Sequence, residues 1–295
     1  MYLVYIENKD LLTKIITYFD YVNILYTTDI NDKYDFLIVS QNNNKTLNLM
    51  QKAKKAIYIS YVDEIKIFKR FSKKNKKYDD YKNKMNTFFN KCNIIVTSLP
   101  YIKRLINHKR IYVIPFENIC IGLCKNKLFN LRKKNITIID SDYKYLDIYF
   151  KLFNEFPNFQ YQLIGFSSSL NKKNKLLITD LPKNLTLYKY CNDRVLQNYI
   201  DNSCLVIFFD NILESYDYLN ICLFLKKNIL LLNSDLCRDF LIDNKNIYLF
   251  DENSFVKKFN KIITNRVSNL GIEGFNLIKD NNFTNISDKF CKILK

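Results

Sequence analysis

The sequence predicts an α/β protein built from two Rossmann-like halves, each a parallel sheet covered by helices. Short apolar runs such as Tyr34–Ser40 and Cys204–Phe209 suit strands that are buried on both faces. Stretches with helical spacing lie between these runs, which is the alternation that βαβ units produce. The length of 295 residues exceeds the usual single-domain size, so we expect two domains or one large α/β unit.

Composition and charge suit a soluble globular protein with a sizeable core. The chain is 48% hydrophobic and 25% charged, and its formal net charge is +17. This charge could attract nucleic acid, an anionic membrane surface or a phosphorylated substrate. Alternatively, the positive charge has no binding role and comes from lysines spread over the surface, whose number reflects the codon usage of an AT-rich genome. We favour this alternative because the basic residues are dispersed, apart from clusters at Lys66–Lys84 and Arg132–Lys134.

Cysteine and histidine usage predicts neither a metal site nor a disulfide scaffold. The eight cysteines include no CxxC pair and the only histidine is His108, so the spacing of zinc ligands is missing. Several cysteines fall in apolar segments, where cysteine behaves as a small hydrophobe. We expect a reduced, cytoplasmic protein with no cofactor, no signal peptide and no membrane-spanning segment.

The first half of the chain alternates strands and helices and predicts an N-terminal domain over residues 1–125. Its strands are predicted at Tyr2–Ile6, Val22–Tyr26, Tyr34–Ser40, Ala56–Tyr61, Asn93–Ser98 and Arg110–Pro115. Its helices are predicted at Asp10–Phe19, Asn44–Lys55 and Pro100–Ile106, with one or two more within Asp63–Lys91. The last of these segments is basic with interleaved aromatic residues, which could bind nucleic acid. We interpret it instead as a charged helical face.

The second half repeats this alternation and predicts a C-terminal domain over residues 126–275 and a helical tail over 276–295. A linker is expected within Asn118–Lys134. Strands are predicted at Ile136–Ile139, Tyr161–Gly165, near Asn184, and at Cys204–Phe209, Asn228–Leu232 and Asn246–Phe250. Helices are predicted at Tyr143–Asn154, Tyr218–Leu225, Asp235–Ile242, Asn253–Thr264 and Ser287–Leu294.

Glu214 is the first candidate functional residue. It opens the loop that comes after the buried strand Cys204–Phe209. In open α/β sheets, ligands bind outside the carboxyl ends of the strands, which is where this loop would lie. Alternatively, Glu214 binds no ligand, and its carboxylate is favoured at this position by the dipole of the following helix.

Three segments of the chain resemble the group 1 glycosyltransferases of the GT-B fold. KCNIIVTSLPYIKRLI and the next strand, RIYVIPFEN, resemble "AD.VI..S......L" and "I.VIPNGVD". YKYLDIYFKLFNEFPNFQYQLIG is similar to "KG.D.LI.A.......L.IVG". NLTLYKYCNDRVLQNYIDNSCLVIFFD resembles "NV.FLG.V....L..LY..ADV.V.PS", and the residues from Glu214 onward resemble "E.FG....EA.A.G.PVV". The similarity covers most of residues 92–265, whereas residues 1–91 match only in the order of strands and helices.

The resemblance implies two Rossmann-like domains whose parallel sheets face each other across a cleft. The N-terminal domain would lie on the acceptor side and the C-terminal domain on the nucleotide-sugar side. The implied activity is a metal-independent transfer of a hexosyl group from a nucleotide sugar to an acceptor, with retention of configuration. The sequence identifies neither the donor sugar nor the acceptor.

The resemblance also implies roles for five residues in donor binding, while no catalytic residue is assigned. Lys144 matches the lysine that contacts the phosphates, and Gly165 matches a glycine of the family. Glu214 matches the first of two glutamates and would accept hydrogen bonds from the donor sugar. Cys222 replaces the second glutamate, which would hold the ribose, and Ser141 stands where an arginine is expected.

These departures keep two alternatives open. One is a degenerate GT-B protein that has lost catalysis and acts as a binding or scaffold module. The other is a glucosyltransferase associated with nucleic acid, whose binding would depend on salt. The run Asp140–Asp142 also adds negative charge where a diphosphate would bind, which is unfavourable.

Overall fold

A computed structural model describes most of the chain. The described residues are 1–60, 76–97, 100, 103, 106, 108–114, 134–140, 145–165, 182–188, 193–209, 216–234, 240–264, 270–280 and 283–294. The chain divides into two compact units. The first unit comprises Met1–Ile119 and Asn281–Lys295, and the second comprises Cys120–Asp280.

The described part of the first unit contains a parallel sheet of six strands in the order β2-β1-β3-β4-β5-β6. The strands are β1 (Tyr2–Tyr5), β2 (Tyr26–Thr27), β3 (Phe36–Val39), β4 (Lys55–Ser60), β5 (Ile94–Thr97) and β6 (Ile111–Val113). The helices between them are α1 (Lys9–Tyr21), α2 (Asn44–Lys52) and α3 (Lys76–Phe89). The strand order requires crossover connections, which is what the predicted βαβ units imply.

Asparagine caps and apolar spacing explain where the first helices form. The Asn8 side chain accepts a hydrogen bond from the Leu11 amide at 3.0 Å and starts α1, and Asn43 caps α2 through the Thr46 amide at 2.8 Å. One face of α1 is fully buried and consists of Leu11, Ile15, Tyr18 and Phe19. The sheet and α1 therefore share one buried cluster in this unit.

The described part of the second unit contains another parallel sheet of six strands, in the order β12-β11-β10-β7-β8-β9. The strands are β7 (Asn135–Ile139), β8 (Gln160–Ile164), β9 (Leu185–Tyr188), β10 (Leu205–Phe208), β11 (Ile229–Leu232) and β12 (Tyr248–Phe250). The helices are α4 (Leu146–Glu155), α5 (Asp193–Asn202), α6 (Tyr216–Phe224), α7 (Phe255–Thr264) and α8 (Leu270–Ile278). A short 3₁₀ turn, Glu252–Ser254, precedes α7.

The last described helix, α9 (Phe283–Leu294), belongs to the first unit. Ile286 and Phe290 lie in the same buried cluster as the strands of the first sheet. The Tyr2 hydroxyl donates a hydrogen bond to the Leu294 carbonyl at 3.0 Å. The C-terminal end of the chain is thus tied to its first strand.

The two parallel sheets confirm the predicted α/β class, but one predicted strand is wrong and one helix was not predicted. Val22–Tyr26 is not a strand, because α1 continues to Tyr21 and Asn23 adopts a left-handed conformation with φ of 55°, so that only Tyr26–Thr27 pairs. Helix α8 was not predicted, because Gly271 and Gly274 disfavour a helix locally. A Cβ atom on Gly271 would collide with the Lys226 carbonyl, so the close approach of α8 to the end of α6 requires glycine there.

Several predicted segments fall outside the described residues. They include most of the linker Asn118–Lys134, residues 63–75 of the basic segment, most of Pro100–Ile106 and the larger part of Asp235–Ile242. Among the helices that the structure describes, none combines the length and apolar character needed to cross a bilayer. The same residues include no group of three or more His, Cys, Asp or Glu side chains placed to hold a metal ion.

Candidate functional site

The carboxyl edge of the second sheet brings Asp140, Gly165 and Phe209 together at the ends of β7, β8 and β10. The Asp140 amide donates a hydrogen bond to the Ile164 carbonyl at 3.0 Å, and the Gly165 amide donates to the Tyr188 carbonyl at 3.0 Å. Phe209 comes directly after β10. Strand β10 pairs with β7 on the side of β7 that faces away from β8. Ligands of open parallel sheets bind at this edge, so it is the first candidate site.

Asp140 is buried at this edge and does not project into solvent. Its side chain is 1% exposed, and the hydroxyl of Tyr149 in α4 donates a hydrogen bond to its Oδ2 at 2.8 Å. A buried carboxylate needs such a partner because water no longer solvates it. The bond also ties α4 to the end of β7. The sequence placed the charge of Asp140 where a diphosphate would bind, but its carboxylate is directed into the protein. Ser141 and Asp142 lie outside the described residues.

Aromatic side chains fill the space behind the end of β10. Phe209 is 1% exposed and its ring packs against Phe255 at 4.5 Å, Tyr149 at 4.6 Å, Phe250 at 4.9 Å and Tyr145 at 5.1 Å between centroids. The first three of these pairs are close to edge-to-face, an arrangement that aromatic quadrupoles favour. This cluster fixes the position of α4 relative to the strand ends.

More solvent-exposed polar groups form a rim at the same edge. The Tyr145 hydroxyl donates a hydrogen bond to Glu252 Oε1 at 2.8 Å. The Asn233 side-chain amide donates to Asp251 Oδ1 at 3.3 Å, where β11 and β12 end. Carboxylate oxygens accept several hydrogen bonds, so Asp251 and Glu252 can also bind hydroxyl groups. The sequence analysis did not single out either residue, because single acidic residues are common in loops.

The structure describes two of the five predicted site residues. Gly165 lies buried at the end of β8, beside Asp140. Cys222 lies in α6 with 0% exposure, and its carbonyl accepts a hydrogen bond from the Lys227 amide at 2.9 Å. Ser141, Lys144 and Glu214 lie outside the described residues. The roles of all five in donor binding stay predictions.

The ionisable groups most perturbed by burial in this unit lie at the opposite edge of the sheet. Burial raises the pKa of the Cys204 thiol, just before β10, to about 11. Burial, with a smaller contribution from Cys204, also raises the pKa of Tyr161 near the start of β8. Both side chains belong to the core, so their shifts describe packing and not the candidate site.

A separate groove lies in the first unit, between α2 and α3. It has a volume of about 540 Å³. Its lining is mostly polar and includes two lysines: Asn42, Asn43, Asn44, Leu47, Asn83, Lys84, Thr87, Phe88 and Lys91. The sequence analysis missed this groove, because helix packing brings together residues about forty positions apart. The signals available were the run of three asparagines and the inclusion of Lys84 in a basic cluster.

Solved structures match the chain, although no protein-family model and no curated protein does. TarM is 17% identical, with a TM-score of 0.60 over 87% of this chain and 54% of its own. The pneumococcal O-GlcNAc transferase GtfA, solved with UDP and GlcNAc, is 12% identical, with a TM-score of 0.59 over 95% of this chain and 58% of its own. A Listeria monocytogenes protein provisionally named UDP-N-acetylglucosamine 2-epimerase is 10% identical, with a TM-score of 0.56 over 97% of this chain and 78% of its own.

The chain has the GT-B fold. Its two parallel sheets with surrounding helices match structures that have this fold, so the resemblance carried by the three sequence segments is confirmed at the level of fold. The chain spans about half the length of TarM and of GtfA. At such low identities the likeness establishes the fold, and the activity has to be argued from the chain's own residues.

Proposed function

We propose that the protein is a glycosyltransferase that transfers a sugar from a nucleotide-sugar donor to an acceptor. The observation that carries this proposal is the GT-B fold, shared with TarM over 87% of the chain and with GtfA over 95%. GtfA was solved with UDP and GlcNAc, which are the two parts of a nucleotide sugar. The order of the three sequence segments that resemble group 1 glycosyltransferases adds independent support.

In this proposal the diphosphate of the donor binds at the carboxyl edge of the second sheet. Gly165, at the end of β8, carries no side chain that would occupy this edge. Helix α4 begins at the same edge, and the Tyr145 side chain does not cap its first amides. The first amides of a helix favour an anion, although Asp147 in the first turn of α4 already meets part of their positive potential. Lys144, the residue before Tyr145, would add a positive charge.

The reaction then depends on where charge develops. The bond between the anomeric carbon and the phosphate oxygen breaks, and the nucleoside diphosphate leaves with the bonding electrons. An acceptor hydroxyl forms the new bond to the anomeric carbon, and its proton passes to the leaving diphosphate. Lys144 and the amides of α4 would stabilise the negative charge on the leaving diphosphate. Glu214 would accept hydrogen bonds from the donor sugar and hold it in place.

Binding measurements on the full-length protein test this proposal. Calorimetric titration with UDP-glucose, UDP-GlcNAc, GDP-mannose and ADP-glucose should identify at least one ligand. Lys144→Ala should weaken its binding by about tenfold to a hundredfold, the loss expected for one hydrogen bond to a charged group. Glu214→Ala should weaken it in the same direction.

Two variants on α4 serve as matched controls. Lys151 and Glu155 are exposed on α4, with 3.9 Å between Lys151 Nζ and Glu155 Oε1. Lys151→Ala removes a positive charge as Lys144→Ala does, and Glu155→Ala removes a negative charge as Glu214→Ala does, but neither control changes the proposed site. Both should leave the affinity unchanged. Absence of binding to the whole panel, or equal effects of Lys144→Ala and Lys151→Ala, would contradict the proposal. Product analysis separates transfer from epimerisation, because only transfer releases the nucleoside diphosphate with a glycosylated acceptor.

One observation favours a second candidate, a GT-B protein that binds a nucleotide sugar without transferring the sugar. Cys222 occupies the position of the expected ribose-binding glutamate and is fully buried in α6. A buried thiol cannot replace a carboxylate that accepts hydrogen bonds from the two ribose hydroxyls. This candidate predicts donor binding with neither hydrolysis nor transfer across a panel of sugar acceptors.

A further inference from the structure

We propose that the groove between α2 and α3 is a second ligand site, which binds a small anionic molecule that also carries hydroxyl groups. A phosphorylated or carboxylated sugar has this chemistry. The groove lies in the first unit, whereas the proposed donor edge lies in the second. The inference rests on the groove alone and does not depend on the proposed transferase activity.

The size of the groove suits a small molecule. Its volume of about 540 Å³ lies within the range of about 300–1,000 Å³ that is usual for ligand pockets. Phe88, which is 2% exposed, and the half-buried Leu47 supply an apolar floor. Asparagine amides, Thr87 and two lysines surround this floor. An apolar floor with a few polar groups is what a sugar ring with an ionised substituent requires.

The two lysines give the groove an uncompensated positive charge. Lys84 lies in α3 and Lys91 lies two residues beyond its end, and both line the groove. Among the described residues neither has an ion-pair partner, whereas Lys54 pairs with Asp35 at 2.7 Å. The lining residues include no acidic side chain. The groove therefore favours an anion.

Three of the four asparagines that line the groove supply hydrogen-bond donors with weak partners or none in the described residues: Asn42, Asn44 and Asn83. The Asn42 amide lies 3.3 Å from the Met85 sulfur, a weak acceptor that a ligand oxygen would replace with a gain. The side-chain amides of Asn44 and Asn83 make no hydrogen bond to the described residues.

The end of α2 adds a weaker preference for an anion. Asn43 caps one of the first amides of α2, and the first turn of the helix contains no acidic residue. The remaining amides keep their partial positive charge. The lining meets a carboxylate through the Asn43 side chain, which donates a hydrogen bond to Glu7 Oε1 at 3.1 Å. The Glu7 carboxylate lowers the positive potential around Asn43, whereas Lys84 and Lys91 have no ion-pair partner among the described residues.

Titration of the full-length protein with four probes tests the inference: glucose 6-phosphate, glucuronate, glucose and inorganic phosphate. Glucose 6-phosphate or glucuronate should bind at least tenfold more tightly than glucose, and the preferred one identifies the anionic group. Inorganic phosphate should bind more weakly than the preferred sugar, because it reaches only the lysines. The double variant Lys84→Ala/Lys91→Ala should lower the affinity of the preferred probe at least tenfold.

Matched controls make the result decisive. Lys52→Ala removes an exposed lysine from the far end of α2, outside the groove lining, and should leave the affinity unchanged. Asn42→Ala should weaken binding by a smaller factor than the lysine pair. Equal affinity for the sugar phosphate and for glucose would overturn the inference, as would an unchanged affinity in the double variant. Binding of a single-stranded oligonucleotide that is lost in the double variant, with no binding of the sugar probes, would assign the lysines to a nucleic-acid surface instead.

Discussion

The two sheets are both parallel and both have polar residues near their carboxyl ends, but these residues meet solvent in different ways. Asp140 at the end of β7 is 1% exposed and bonded to Tyr149, and Phe209 beside it lies in an aromatic cluster. The groove between α2 and α3 is open, and its residues Asn42, which follows β3, and Lys84 are exposed. A polar residue near a strand end can therefore be buried and serve packing, as Asp140 does, or stay exposed, as Asn42 does in the groove that we propose as a ligand site.

The largest effect that tests this comparison is expected for Phe209→Ala. The substitution removes a fully buried ring with four aromatic neighbours, so it should lower the free energy of unfolding by about 3–5 kcal/mol. Urea unfolding followed by circular dichroism measures this change.

A half-buried phenylalanine provides the control for that measurement. Phe224 in α6 packs against one aromatic ring of the described residues, that of Phe275 at 6.4 Å, so Phe224→Ala should cost clearly less. If both variants lose the same stability, the end of β10 is not the packed region that the ring contacts indicate.

A smaller effect is expected for Tyr149→Phe, which removes only the hydroxyl that donates to Asp140. Loss of a hydrogen bond to a buried carboxylate should cost about 1.5–3 kcal/mol. Tyr145→Phe removes the bond to the exposed Glu252 and should cost less than about 1 kcal/mol. Urea unfolding of both variants gives the comparison. A loss in Tyr145→Phe equal to that in Tyr149→Phe would show that burial does not set the value of these bonds.

Strands were predictable because their apolar runs report burial directly. Leu205–Phe208 and Ile229–Leu232 are each within one residue of the predicted segments, since a strand covered on both faces has few alternatives. Val22–Tyr26 is a comparable apolar run, yet it begins at the C-cap of α1 and contains the left-handed Asn23, and its Leu25 is 79% exposed. An apolar run alone therefore establishes neither burial nor a strand when it directly follows a helix.

Residues selected by tertiary contacts were not predictable from local pattern. Gly271 and Gly274 disfavour a helix by propensity, but α8 forms because glycine permits its close contact with Lys226 and Leu223. The groove has the same cause, since Asn42 and Lys84 come together only when α2 and α3 pack on the sheet. For the donor edge, the resemblance proposed Gly165, whereas the burial of Asp140 by Tyr149 emerged only from the structure.

The smallest effect on stability is expected for Lys84→Ala/Lys91→Ala. Both side chains are exposed and have no ion-pair partner among the described residues, so the free energy of unfolding should change by less than about 0.5 kcal/mol. Lys227 is the matched contrast, because it is 8% exposed and donates a hydrogen bond to the Asp201 carbonyl at 2.6 Å. Lys227→Ala should cost about 1–3 kcal/mol. Urea unfolding distinguishes the two kinds of lysine. If the double variant loses as much stability as Lys227→Ala, Lys84 and Lys91 stabilise the fold, and their charge is not held available for a ligand.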